Sequence, residues 1–144
     1  MGELIGAAIA IAALALTMVS GLTVATAYSA RADLSQVAKS AAGEMAVEGG
    51  YTSGVQEAIV AALAARGFTA QPTIEVSPQG PDYYGQTFTI RIDYPLTVRI
   101  GGAEVPAPLV VTVPGVSTYP CTAQEAQAGT CAAPATITPP TGGG

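Results

Sequence analysis

Cys121 and Cys131 are the two cysteines of the chain, and the nine residues between them, TAQEAQAGT, limit what their sulfurs can do. At this spacing they form neither a CxxC redox pair nor a four-ligand zinc set. They read as a disulfide closing a short loop, with two buried free thiols as the plain alternative. In the chain-entropy view such a loop contributes about 2 to 3 kcal/mol. A bond of this kind persists in an oxidising compartment, which predicts a domain outside the cytoplasm. No other residues have the types and spacing for catalysis. The 144 residues include no His, which removes Ser-His-Asp and Cys-His arrangements and imidazole metal ligands. The carboxylates are scattered without paired spacing, so the sequence predicts no enzyme, no cofactor and no metal. Five Lys and Arg against ten Asp and Glu, a net charge of -5, leave no basic footprint for nucleic acid.

Only 10% of residues are charged while 49% are apolar, and the apolar surplus is concentrated at the start. Glu3 is the only charge before Arg31, so residues 4–30 form an uncharged run of 27 residues. As a helix this run is about 40 Å long, enough to cross a hydrocarbon core of roughly 30 Å. Nine of its residues are Leu, Ile or Val and nine are Ala, which makes it a modest membrane anchor. Gly2, Gly6 and Ala10 recur at a spacing of four, followed by Leu14. Small residues in that pattern let helix backbones approach closely, so the segment reads as built to pack against other helices. An ordinary single-pass anchor and a signal peptide cut near Ala30-Arg31-Ala32 are the alternatives; the latter lacks a basic segment before an apolar run that is also long for the purpose. Arg31 and Lys39 follow the run, and the positive-inside rule alone places the C-terminal domain in the cytoplasm. The cysteines place it outside. A basic leader removed just before Met1 reconciles the two.

Residues 31–48 continue the helix as an amphipathic half, with Leu34, Val37, Ala38, Ala41 and Met45 on one stripe. One helix is expected over about 2–48, ended by Gly49-Gly50, with Ser20-Gly21 the one candidate for local unwinding. A second helix is expected over 53–66. Its signals are Ser53 as N-cap, Gln56 as capping-box partner, Gly67 after the last turn, Phe68 as the apolar contact beyond it, and Val55, Ile59, Ala62 and Leu63 on the buried face. Glu57 and Arg66 read as solvated charges.

From Gln71 the hydrophobic period becomes two, which predicts strands at about 73–77, 86–94, 96–100 and 104–113. The segment PQGPDYYG reads as a loop, Pro95 as an edge, bulge or break, and Gly101-Gly102 as a tight hairpin. The fold class is therefore α+β: a small antiparallel sheet with one face on the second helix and the lower part of the first. Arg91, Asp93 and Arg99 read as polar residues on its wet face. The division is 1–48 (1–30 transmembrane or filament core, 31–48 amphipathic), a globular head over 49–120, and a disulfide loop with a Pro/Thr/Gly-rich tail over 121–144. Ala135 to Thr138 are expected to add to a sheet edge, the chain's own or a neighbour's. The tail threonines can carry O-linked sugar; the absence of Asn excludes N-glycosylation.

This layout resembles a type IV pilin, on Met1-Gly-Glu-Leu-Ile-Gly, the charge-free run to Ala30, and Cys121 with Cys131. The segment GEMAVEGGYTSGVQEAIVAALAARGF followed by alternating strands is similar to TadE-like pilin and pseudopilin relatives. The resemblance implies a structural subunit inserted in the cytoplasmic membrane, trimmed by a prepilin peptidase, and added by an assembly machinery to an extracellular helical filament. Identical subunits would bundle through their N-terminal helices, packing at Gly2, Gly6, Ala10 and Leu14. Glu3 would correspond to the pilin glutamate that neutralises the N-terminal amine, here on Met1, of an adjoining subunit. It lies closer to the start than the usual placement, and Met1 stands where many pilins have Phe. A single-pass extracytoplasmic domain or a minor pseudopilin of a secretion machine is the alternative.

Overall fold

A computed structural model describes residues 2–78, 83–100, 102–131 and 137–139, without the side chains of 2–5, 16, 19–24 and 100. The architecture is α+β. The first helix, α1, is continuous over Gly2–Glu48 and runs through Ser20 and Gly21 without a break. It ends where the two glycines require: Gly49 has φ 78°, and the N–H groups of Gly49 and Gly50 both donate to the Met45 carbonyl, at 3.0 and 3.2 Å. A side chain at Gly49 would also collide with the ring of Tyr119, which a built Cβ approaches to 2.5 Å.

The second helix, α2, spans Ser53–Ala64, and its N-cap is Thr52 rather than Ser53. Thr52 holds the extended backbone of a cap (φ -104°, ψ 169°), and its Oγ1 accepts from Val55 N–H at 3.3 Å. Its own hydroxyl donates to the Glu48 carboxylate at the end of α1, so a single threonine joins the two helices. That tie to Glu48 displaces the cap by one residue from Ser53. At the other end, Gly67 N–H donates to Ala64 and Phe68 N–H to Leu63, each at 3.0 Å. This is the Schellman ending that Gly67-Phe68 predicts.

Strands β1 (Thr73–Ser77), β2 (Thr87–Tyr94) and β5 (Leu109–Val116) form an antiparallel sheet in the order β1-β2-β5. Ile74 pairs with Ile92, and Ile92 with Val111, so the alternating aliphatic residues share one face. Pro95 breaks the long alternating run. Beyond it, β3 (Thr97–Ile100) leaves the sheet and pairs with β4 (Ala103–Pro106) as a separate two-stranded hairpin. Gly101 of the expected Gly101-Gly102 turn lies outside the described residues. The strand expected over 104–113 is in fact two, because Pro106 and Pro108 bracket a link in which Ala107 N–H donates to the Leu96 carbonyl at 2.7 Å. β5 then extends past 113 through Pro114, which an edge strand tolerates. At Gly115 the ring of Phe88 occupies the space a Cβ would need.

One core joins these parts. Leu34, Val37, Ala38, Ala41, Ala42 and Met45 of α1 meet Val55, Ile59 and Leu63 of α2, and Ile74, Phe88, Ile90, Ile92 and Val111 of the sheet. The sheet lies chiefly over α1, which approaches β5 and β2, while α2 packs beside α1. The core is therefore centred on the lower half of the first helix rather than shared evenly between two helices.

The C-terminal part is fastened to the same end of α1. Thr118 N–H and hydroxyl donate to the Ala46 carbonyl at 2.8 and 3.1 Å. Helix α3 (Ala123–Ala128) has Thr122 and Glu125 as a complete capping box, and Cys121 and Cys131 are bonded across it. Ile137 packs on the core and its N–H donates to the Tyr51 carbonyl at 2.9 Å. Of the expected edge segment, Ala135 and Thr136 lie outside the described residues, and Ile137 docks on the α1–α2 link instead of a sheet edge. Residues 79–82 of the PQGPDYYG loop and 132–136 and 140–144 of the tail are likewise outside them.

Candidate functional site

The largest unpartnered feature is the upper half of α1. Residues 6–15 are all exposed, among them Ile9 at 65%, Ile11 at 69% and Leu14 at 59%, with Met18 and Tyr28 further along. Gly6, Ala10 and Leu14 recur at helical spacing on one stripe, and nothing lies within 4 Å of a Cβ built on Gly6. Gly2 belongs to the same helix. Met1 lies outside the described residues, as does the side chain of Glu3.

Two hydroxyl groups of this half bond back to their own helix. Thr17 donates to the Leu14 carbonyl at 2.9 Å and Ser29 to the Thr26 carbonyl at 3.0 Å. Both satisfy their polar atoms within the helix, which leaves an outer surface with little hydrogen-bonding demand. Among the described residues no helix is long and apolar enough to cross a membrane; the span expected over 1–30 falls partly on residues outside them.

The arginines of the head each meet a carboxylate. Arg91 contacts Asp93 at 3.0 Å and Glu75 at 3.5 Å, and Arg99 contacts Glu104 at 2.7 Å. Arg66 lies 3.9 Å from Asp33 and donates to the Ala62 carbonyl. These solvent-exposed pairs are worth little individually; Arg91 and Asp93 lie on the wet face of the sheet as expected, whereas Arg99 is carried off the sheet on the β3–β4 hairpin. Among the described residues no group of three or more His, Cys, Asp or Glu gathers to hold a metal ion.

An open groove of about 720 Å³ lies where α1 leaves the head, between Ser29 and Asp33 on one wall and Tyr94, Leu96 and Arg99 on the other. Nothing in the pattern of 86–100 foretold this groove apart from Pro95, which turns β3 away from the sheet.

Comparison with family models, curated proteins and solved structures finds no match.

Tyr51 is the buried group that sequence reading passed over. It is 3% exposed, and its hydroxyl has no hydrogen-bond partner among the described residues. Burial pushes its phenol up to about 12, because the phenolate would lose its solvation. Glu125, by contrast, is held below the usual carboxylate range by the Thr122 backbone and hydroxyl donors. Each is explained by the head's own packing or capping. Among the described residues, the exposed stretch 6–15 of α1 is a large apolar surface that the head's own packing does not explain.

Proposed function

We propose that this chain is a non-catalytic structural subunit of an extracellular type IV-like filament, whose N-terminal helices bundle into the filament core. One observation carries the reading. The same unbroken helix is packed at one end against its own head and bare at the other, over an uncharged stretch whose apolar side chains face outward. An exposed apolar surface of this length calls for a partner. Helices of sister subunits suit it, since Gly6 and Ala10 permit close approach and dispersion rewards it. Before assembly the same half would rest in the cytoplasmic membrane, and a prepilin peptidase and assembly machinery would release it.

Glu3 sharpens the proposal. A carboxylate within a packed helical core is costly unless paired, and the α-ammonium of an adjoining subunit supplies the pair. The Glu3→Ala variant should insert in the membrane as the native chain does, yet yield at least about a hundredfold fewer filaments, since leaving one partner of a buried pair unmatched costs about 3 to 5 kcal/mol. The measurement is negative-stain microscopy of sheared surface material with mass spectrometry of the subunit. Native protein found solely as isolated molecules in the bilayer would instead establish a membrane-anchored domain.

A further inference from the structure

The charged residues of the lower half of α1 are sorted by side. At about 100° per residue, Arg31 and Lys39 fall on one flank of the helix, and Asp33, Glu44 and Glu48 fall on the other. The buried stripe of Leu34, Ala38, Ala41 and Met45 and the exposed residues Gln36, Ser40 and Gly43 occupy the two faces between those flanks. Two of the five charges are committed inside the subunit: Asp33 to Arg66, and Glu48 to the Thr52 hydroxyl. Arg31, Lys39 and Glu44 are exposed and make no ion pair with any described residue. Their own helix offers none either. The positions three and four away from Lys39 are Ser35, Gln36, Ala42 and Gly43, and those around Glu44 are Ser40, Ala41, Val47 and Glu48, so the i,i+4 pairing that usually stabilises such charges is absent.

We propose that Lys39 of one subunit pairs with Glu44 of the next, across parallel α1 helices of adjacent copies. The inference rests on the filament reading and adds the contact that sets its direction. Five residues separate the two positions, which is about 140° around the axis and about 7.5 Å along it. Opposite charges on opposite flanks five positions apart can both be met when parallel helices lie side by side, as the flanking charges of a parallel coiled coil are. In a two-fold pair they close a dimer, and in a head-to-tail contact that repeats the same displacement they extend a helical polymer, which is the arrangement the filament reading requires. Parallel helices at about 8 to 10 Å leave a lysine within reach of a glutamate on the neighbour, and Ser40 and Gly43 on the face between them permit that spacing. Like charges facing each other would penalise the antiparallel arrangement, so the pair acts on orientation more than on strength.

The test uses the full-length chain in its native host and counts sheared filaments. Lys39→Glu and Glu44→Lys should each reduce filament yield by about tenfold, and the two combined should restore it to within about twofold, since a swapped pair recovers the interaction that each single change removes. Protease resistance of the head, which needs neither side chain, should stay constant throughout. A second measurement reads the contact directly. The Lys39→Cys, Glu44→Cys chain, treated with a short bismaleimide in assembled filaments, should give a ladder of covalent multimers, since Cys121 and Cys131 are already bonded to each other and do not react. Filaments that persist after either single reversal, or single defects that the swap fails to rescue, would overturn the pairing and leave the filament reading standing. A native chain that forms no filaments would remove both.

Discussion

The two halves of α1 are built from much the same small and aliphatic residues, and they lead opposite lives. In 31–48 the apolar positions are Leu34, Val37, Ala38, Ala41, Ala42 and Met45, all buried, with charges to either side. In 6–15 every residue is exposed and none is charged. The difference lies in pattern, not composition. A helix with one apolar stripe has a face to turn toward its own head, whereas a helix apolar all round has no such preference and suits surroundings that enclose it completely. The polar flanks of the lower half thus confine the core to one side of the rod, and their absence above leaves that segment without a face directed at the head.

The sharpest way to break this comparison is to make the same cut in both halves. Leu34→Ala, at a position with no exposure, should lower the stability of the head by about 3 kcal/mol, the usual cost of a large-to-small change in a packed core. Leu14→Ala should change it by less than about 0.5 kcal/mol, as at an exposed site, while reducing filament yield. Urea unfolding followed by tyrosine fluorescence measures the first quantity. Equal losses at the two positions would mean that the upper half is packed on its own head after all.

The lower end of α1 can also be probed by pH. Tyr51 follows the two glycines, and its phenol ionises near 12 in the folded chain against 10 for a free tyrosine. The unfolded chain therefore releases its proton first. The associated stability is fully present below about pH 10 and is lost as pH rises toward about 12, at about 1.4 kcal/mol for each unit between the two values. Across that window the native chain should lose on the order of 2 kcal/mol more than Tyr51→Phe, which has no proton to release. Parallel curves would show that the ring is solvated and that the covered half of the rod ends before Gly49.

Much of this organisation is legible in the residues themselves. The length of α1, its termination at Gly49-Gly50 and the aliphatic alternation of β1 and β2 follow from period and punctuation, which are local properties. The disulfide between Cys121 and Cys131 follows from a short spacing. Most of the differences lie where a tertiary contact overrode a local signal, and one lies where two local signals conflict. Ser53 is a good N-cap by type, but Thr52 can reach Glu48 across the turn. The alternation over 104–113 runs on through Ala107, but the prolines on either side of it send β4 and β5 to different partners. Tyr119 over Gly49 and Ile137 on Tyr51 join residues far apart in the chain, and no periodicity announces them. For residues 6–15, sequence shows that they are uncharged and the structure that they are exposed; neither property by itself names what covers them.

Thr52 offers the gentlest test of where the covered half stops. Its hydroxyl both caps α2 and donates to Glu48, the last residue of α1, so it ties the two helices at the point where the rod leaves its own core. Thr52→Ala removes the cap and the tie together and should cost about 1 kcal/mol, the typical loss for a capping residue. Ser53→Ala, one position along, should cost next to nothing, since Ser53 is exposed and forms the first turn rather than the cap. Thr52→Ser keeps the oxygen and should recover most of the loss. The same urea titration resolves all three variants, and a larger penalty at Ser53 would return the start of α2 to the position its sequence suggests and detach the helix from the end of the rod.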